Sequence, residues 1–199
     1  MAARLRFAGL RSRLAGPFDM ELEAGECVAI TGASGSGKSL LLRMVADLDS
    51  NEGEAWLDGA ARSGMSAPAW RRQVAYVAAE SGWWGDMVLE HFPDPVAARA
   101  LAPALGLKPV LFDGHVLRLS TGEKQRLALL RTLLAAPPVL LLDEPTGALD
   151  EASQAMVESV LAERLAGGVA VLMVTHDPGQ ARRLGRRHFV MADRKLTPG

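Results

Sequence analysis

Eight consecutive residues, Gly32-Ala33-Ser34-Gly35-Ser36-Gly37-Lys38-Ser39, follow the apolar run Cys27-Val28-Ala29-Ile30 and match the spacing GxxxxGK[ST]. That spacing binds phosphate. Its glycines let the backbone turn so tightly that several N–H groups point at one anion, and the helix that follows adds its positive N-terminal end. Lys38 is expected to reach the β- and γ-phosphates, Ser39 to give a hydroxyl oxygen to Mg2+, and the contacting stretch to run from Gly32 through Leu40. The plainer alternative is a Gly/Ser-rich turn between strand and helix with no ligand. The rest of the chain decides between them.

Three further groups bear on that choice. Val139-Leu140-Leu141-Leu142 is an apolar run ending in two acids, Asp143 and Glu144, and open α/β sheets bind ligands at the carboxyl ends of their strands. Asp143 suits a metal held largely through its waters, and Glu144 suits the orientation or deprotonation of a water for in-line attack on a γ-phosphate. Taken without the glycine-rich turn, the two acids read more simply as the cap of the next helix. Leu119-Ser120-Thr121-Gly122-Glu123 opens a helix; a serine hydroxyl beside a helix N-terminus is an anion site, and Ser120 with Glu123 also has the spacing of a capping box. Both can hold at once. His176, in Thr175-His176-Asp177, follows the apolar run Val169–Val174, so its imidazole belongs at the same sheet edge, where it can donate to a γ-phosphate oxygen. His91, His115 and His188 have no such setting and read as structural.

In this order and spacing the motifs resemble the ATP-binding cassette (ABC) family, whose signature LSGGQ stands here as Leu119-Ser120-Thr121-Gly122-Glu123. The resemblance covers essentially the whole chain. It implies that Asp143-Glu144 closes the Walker B motif, that Ala148-Leu149-Asp150 is the D-loop, that His176 is the switch histidine, and that ATP and Mg2+ are the ligands. It also implies that Ser120, Thr121, Gly122, Glu123 and Asp150 complete the nucleotide site of a second subunit, so the chain pairs with its own copy or a related cassette. The implied function is ATP hydrolysis driving a separate transmembrane permease subunit, with the chain peripheral on the cytoplasmic face of the membrane. The rival readings are a soluble cassette acting on nucleic acid or ribosomes, a P-loop kinase for a small metabolite, and a module that binds without turnover.

The chain departs from the family at two places. Where the family carries a metal-contacting glutamine after the strand Gln73–Ala78, an ungapped comparison puts Ala79, with Glu80 one residue on. Glu80 is the only suitable acceptor there and is expected to substitute as the Mg2+-side oxygen. The family's adenine-stacking aromatic falls near Gly9 or Leu10, with Phe7 slightly early. Beyond Glu80, Ser81-Gly82-Trp83-Trp84-Gly85 offers two tryptophans, either an interface anchor for the permease or the packing of a small subdomain.

These groups need a frame, and 199 residues suit one domain over the whole of residues 1–199. The expected fold is an α/β, P-loop NTPase-type core with a mainly parallel sheet, an N-terminal antiparallel β portion and a small helical subdomain over about residues 86–135. Short β-like runs at Arg4–Phe7, Phe18–Leu22 and Cys27–Thr31, the last two joined by a hairpin-type Ala24-Gly25-Glu26, lead into a helix at Lys38–Leu48 and a strand at Glu54–Leu57. Residues 86–119, with prolines at 93, 95, 103 and 109, read as two weak helices. Thr121–Ala136 and Glu151–Leu165 read as helices, and Arg187–Ala192 as a last strand before a frayed tail.

Composition limits the partners. A formal net charge of −1 gives no general case for nucleic acid, and Arg182, Arg183, Arg186 and Arg187 read as a solvated basic face. The single cysteine, Cys27, excludes a disulfide framework and suits a reducing compartment. Residues 1–9 have no apolar segment of a secretory signal. The apolar stretch Leu127–Leu142 is interrupted by Arg131 and by Pro137-Pro138; a central arginine alone costs roughly 2.5 to 3.5 kcal/mol on insertion, so no membrane span is expected.

Overall fold

The computed structural model describes residues 3–199. In strand β1 (Leu5–Arg11) the inward positions are Leu5, Phe7 and Leu10, a spacing that breaks period two after Phe7. A register shift between Phe7 and Leu10 explains it: Gly9, at φ 62°, absorbs a bulge that returns Leu10 to the core. β1 pairs antiparallel with β2 (Phe18–Leu22) and with β4 (Glu52–Leu57), and β5 (Ala60–Ala61) extends that sheet in the order β2-β1-β4-β5.

The larger sheet runs β10-β9-β3-β8-β7-β6 and comprises β3 (Cys27–Thr31), β6 (Val74–Val77), β7 (Val139–Asp143), β8 (Ala170–Val174), β9 (Arg187–Ala192) and β10 (Lys195–Pro198). All its pairings are parallel except β9 with β10. Its central strands are apolar up to their last residues, Thr31 in β3 and Asp143 in β7, because both faces are covered. Val28, Ile30, Val139, Leu141, Leu172 and Val174 pack towards the antiparallel sheet and helix α1 (Lys38–Val45). The alternate residues Cys27, Ala29, Leu140, Leu142, Val171 and Met173 pack against the helical side.

That central place corrects the expected hairpin: β2 and β3 lie in different sheets, and Ala24-Gly25-Glu26 only carries the chain from one to the other. Helix α1 ends at Val45, and Asp47 at φ 58° turns the chain away, which leaves Leu48 exposed instead of on the buried helical face. Helix α2 (Ala67–Gln73), not anticipated, buries Trp70 completely, with its Nε1 donating to the Val45 carbonyl at 2.9 Å.

Between β6 and helix α4 (Thr121–Leu134) the chain forms a single α-helix, α3 (Pro95–Leu101), with 3₁₀ turns at Val88–His91, Ala102–Leu105, Pro109–Asp113 and Val116–Arg118. Proline accounts for the substitution of short turns for a second helix: Pro103 and Pro109 occupy first-turn positions, where the missing N–H costs nothing. α4 stops two residues earlier than expected, because Ala136 takes φ 48° before Pro137. Helices α5 (Glu151–Ala166) and α6 (Pro178–Leu184) complete the cover. The tail is paired, not frayed: β10 forms an antiparallel hairpin with β9 through Lys195↔Ala192 to Pro198↔Phe189. No helix among the described residues is long and apolar enough to cross a membrane.

Candidate functional site

The turn after β3 is built by three glycines with positive φ, Gly32 (145°), Gly35 (76°) and Gly37 (107°). A side chain at Gly32 would also strike the backbone of Met191, so this position needs glycine twice over. Gly37 caps α1 with no side-chain hydrogen bond, so the first N–H groups of that helix stay directed into the turn. Lys38 is 8% exposed, and its Nζ donates to the carbonyls of Gly32 (2.9 Å) and Ala33 (2.8 Å). A buried ammonium satisfied by neutral carbonyls and no carboxylate keeps its full positive charge for an anion.

A cavity of about 550 Å³ opens over this turn, a size that suits a small-molecule ligand. Lys38, Ser39, Leu40, Asp143, Glu144 and His176 all line it. The sheet places the last three: β7 and β8 are parallel neighbours, and their carboxyl ends open on the same side as the end of β3. Asp143 is 4% exposed, and one of its oxygens accepts from Tyr76 Oη at 2.9 Å. Burial, then the Asp143 charge, pushes the Tyr76 phenol well above its ordinary value, so it stays a proton donor.

Glu144 takes φ 50°, and its N–H donates to the Val174 carbonyl at 2.9 Å. One carboxylate oxygen, Oε2, accepts from the His176 backbone N–H (3.1 Å) and from His176 Nδ1 (2.7 Å). The Glu144 carbonyl accepts from Gln125 Nε2, which ties the strand end to α4. The segment behind His176 is braced as well: Asp177 caps α6 by accepting from Gly179 N–H (2.7 Å), and buried Gln180 donates to Thr146 Oγ1 (2.8 Å). Tyr76, Gln125, Thr146 and Gln180 escaped the sequence reading; Tyr76 lies in the otherwise apolar β6, Gln125 and Gln180 are buried residues of α4 and α6, and Thr146 sits in the turn after β7.

The other expected residues lie elsewhere. Ser120 caps α4, accepting from the Glu123 N–H at 3.2 Å while the Glu123 carboxylate accepts from the Ser120 N–H at 2.8 Å. This Ser120–Glu123 segment, with Thr121, is absent from the cavity wall. Gly122 instead abuts the Ala148-Leu149 loop, where a Cβ would lie 3.0 Å from the Ala148 carbonyl oxygen. Asp150 caps α5 by accepting from Ser153 N–H at 2.7 Å, a bond that holds its carboxyl below the usual range. Glu80 is exposed and away from the cavity, which is lined at that edge by Ala79. β6 ends at Val77, and the loop beyond it turns a methyl group, not the expected oxygen, to the site. Leu10 is in the core, and neither it nor Gly9 nor Phe7 reaches the cavity. Leu14 and Arg194, unforeseen, do line it.

A parallel sheet with a glycine-rich phosphate turn at its centre and paired acids at an adjacent strand end defines a P-loop nucleotide triphosphatase fold. A family model described as ABC transporter matches residues 16–147, and the chain belongs to that family. It is 35% identical over 193 residues to the Fe(3+) ions import ATP-binding protein FbpC of Mesorhizobium japonicum, spanning 90% of this chain and 54% of that protein. It is 38% identical over 191 residues to the aliphatic sulfonates import ATP-binding protein SsuB 1 of Pseudomonas syringae pv. tomato, spanning 94% of this chain and 68% of the relative. The fold is similar to a dimeric ATP-binding cassette in a post-hydrolysis state bound to ADP and Pi, at TM-score 0.83 and 23% identity, covering 98% of both chains. The chain therefore spans about half the length of the first of these relatives.

Proposed function

We infer that the chain hydrolyses ATP to ADP and phosphate as the nucleotide-binding subunit of a membrane transporter. The observation that carries this is Glu144, held at one oxygen by His176 beside a cavity that Lys38 and Ser39 also line. Lys38 and the N–H groups of the turn take the triphosphate. Glu144 Oε2 is occupied by His176, so Oε1 is the oxygen left to orient the attacking water and draw its proton. His176 keeps that carboxylate in one rotamer through its backbone N–H and Nδ1.

Ser39 and Asp143 are the residues that would hold Mg2+. The donor set fits: both are hard oxygens on the cavity wall, and among the described residues no cluster of three or more His, Cys, Asp or Glu side chains competes for a cation. Mg2+ bound to a nucleotide needs only one or two protein ligands, and when bound it neutralises charge developing on the phosphate oxygens.

The Ser120–Glu123 segment, exposed at Ser120 and Thr121, lies off the cavity of its own chain, so a second cassette, either another copy or a related chain, supplies it in trans. The segment between β6 and α4 carries four strongly exposed apolar side chains, Trp84 (70%), Val96 (79%), Val110 (67%) and Leu117 (89%), which suits it to a hydrophobic permease surface on the cytoplasmic face of the membrane. The two relatives are named for different cargoes, Fe(3+) and aliphatic sulfonates, so similarity at this level follows the cassette and not what is carried. The test is to tag the Glu144→Gln chain in its native cells, add ATP, solubilise the membranes gently and identify what co-purifies. One multi-span membrane protein in stoichiometric amount is expected. Recovery of soluble or nucleic-acid-bound partners alone would overturn the transport reading.

A further inference from the structure

The strand order gives the cavity a direction. Passing across the carboxyl edge from β6 to β9, one meets Ala79, then Asp143 and Glu144 after β7, His176 after β8, the phosphate turn after β3, and last the β9–β10 turn that carries Arg194. Water activation and metal binding therefore lie on one side of the phosphate turn and Arg194 on the other. A triphosphate with its γ end at Glu144 turns its inner phosphates, β and α, to the Arg194 side.

Asp193 and Arg194 form the hairpin turn between Ala192 and Lys195, and both have positive φ, 46° and 60°. That is the type I′ form, whose central positions favour Asn, Asp and above all glycine. A long side chain in the left-handed region is strained, and such strain collects where a side chain is used. The fold itself does not use this one: Arg194 lines both the cavity and the adjoining one between residues 32–36 and 190–194, and among the described residues it makes no hydrogen bond or ion pair. Its stem rests on the phosphate turn, since a Cβ placed on Gly37, the residue that leads α1, would lie 3.7 Å from Arg194 Cγ. Ser36 Oγ, buried beside the adjoining cavity, has no hydrogen-bond partner either. A guanidinium and a hydroxyl with unspent donors thus flank Gly37, where the helix opens.

Building on the ATP reading, we propose that Arg194 is a second phosphate-binding cation of this cavity, one that takes the β- and α-phosphates from the β9–β10 turn. A guanidinium presents a planar fork of N–H donors that matches two phosphate oxygens, and hydrogen bonds between charged groups are the strong ones. ATP and ADP share these two phosphates, so Arg194 holds substrate and product alike. Binding of that uniform kind lowers KM without raising kcat. Arg194 sets how tightly the nucleotide is kept, and Glu144 how fast it is cleaved.

The test compares the full chain with its Arg194→Ala, Arg194→Lys and Arg194→Gly variants, measuring dissociation constants for ATP, ADP and inorganic tripolyphosphate, which has no nucleoside, together with KM, kcat and melting temperature. Arg194→Ala should weaken all of these ligands alike, roughly 5- to 50-fold, and raise KM while kcat stays within about twofold of the parent. Arg194→Lys keeps the charge and loses the fork, so its affinities should fall between those of the parent and the alanine variant. Arg194→Gly should lose as much affinity as Arg194→Ala yet melt about 2 to 4 °C above the parent, because glycine relieves the turn. Weaker binding in a more stable chain separates a ligand contact from a folding role. Unchanged affinities in Arg194→Ala, weakening confined to ATP and ADP with tripolyphosphate untouched, or a lower melting temperature in Arg194→Gly would each overturn the assignment of Arg194 while leaving the ATP reading standing. Failure of the parent chain to bind ATP or tripolyphosphate would overturn both.

Discussion

His176 Nδ1 lies 2.7 Å from Glu144 Oε2, and the His176 backbone N–H donates to the same oxygen at 3.1 Å. Ionised carboxylates only accept, so Nδ1 is the protonated nitrogen in this contact. The pair sets the geometry of the site, because both bonds fall on one oxygen and leave the other to the cavity. Glu144 itself holds a positive φ of 50°, a conformation rare outside glycine that persists where the surroundings impose it.

Glu144→Gln keeps the shape of the side chain and removes the base. Phosphate release is expected to fall about 100-fold or more, with ATP affinity changed only a few-fold, measured by steady-state phosphate release and equilibrium binding on the same preparation. A variant that keeps turning over at the parent rate would remove Glu144 from the chemistry.

Lys38→Met tests the phosphate turn. Since Lys38 bonds only to the carbonyls of Gly32 and Ala33, the fold should survive, with a melting temperature within a few degrees of the parent. ATP affinity should drop roughly 10- to 100-fold, the scale of a lost charge-assisted hydrogen bond. Calorimetric titration and thermal melting together separate loss of the site from loss of the fold.

The trans arrangement is tested by mixing two inactive chains. Lys38→Met lacks a working phosphate turn, and Ser120→Arg blocks the α4 cap that would face the other subunit. A mixed dimer contains one site with neither lesion, so hydrolysis should reappear on mixing equal amounts, at about a quarter of the parent rate, because about half the dimers are mixed and each carries one intact site. Mixtures as inactive as their components would show that each chain works alone.

Trp70 is the largest fully buried side chain, and its Nε1 is bonded to the Val45 carbonyl at the end of α1. Trp70→Ala should cost about 3 to 5 kcal/mol of stability, whereas Trp70→Phe should cost about 1 to 3 kcal/mol, mainly for the orphaned carbonyl. Denaturant unfolding monitored by far-UV circular dichroism distinguishes them.

The Arg183–Glu158 pair fastens α6, and with it the His176 segment, to α5 at 2.7 Å and 2.8 Å. The bond from Arg183, opposed by partial burial, holds the Glu158 carboxyl below its ordinary value. A depressed carboxylate stabilises the fold above its unfolded pKa, about 4.3, and that contribution is lost as pH falls through the folded value. The melting-temperature gap between the parent and Arg183→Ala should therefore be widest near pH 6 and close as the pH drops below about 4. A gap independent of pH would assign Arg183 a packing role only.

What could be read from residues alone follows the range of the forces involved. Ser120 and Glu123 satisfy each other across three residues, so the cap of α4 is a local matter and visible as spacing. The end of α1 was less legible, because Leu48 continues the helical pattern while the left-handed Asp47 interrupts it. Glu80 was misleading for a similar reason: past the end of β6 no periodicity says which of two neighbouring residues faces the site.

The sequence by itself determined the phosphate turn, the cap of α4 and the apolar strands, since each depends on glycine φ values, hydrogen bonds within one helical turn, or burial on both faces of a sheet. Only the tertiary structure decided which groups share the cavity. Glu144 and His176 lie 32 residues apart and meet because β7 and β8 are adjacent. Leu14 and Arg194 come from opposite ends of the chain and reach one cavity because two separate sheets present their loops at the same edge of the phosphate turn. Strand order is set by the packing of whole faces against one another, and no short stretch of residues encodes it.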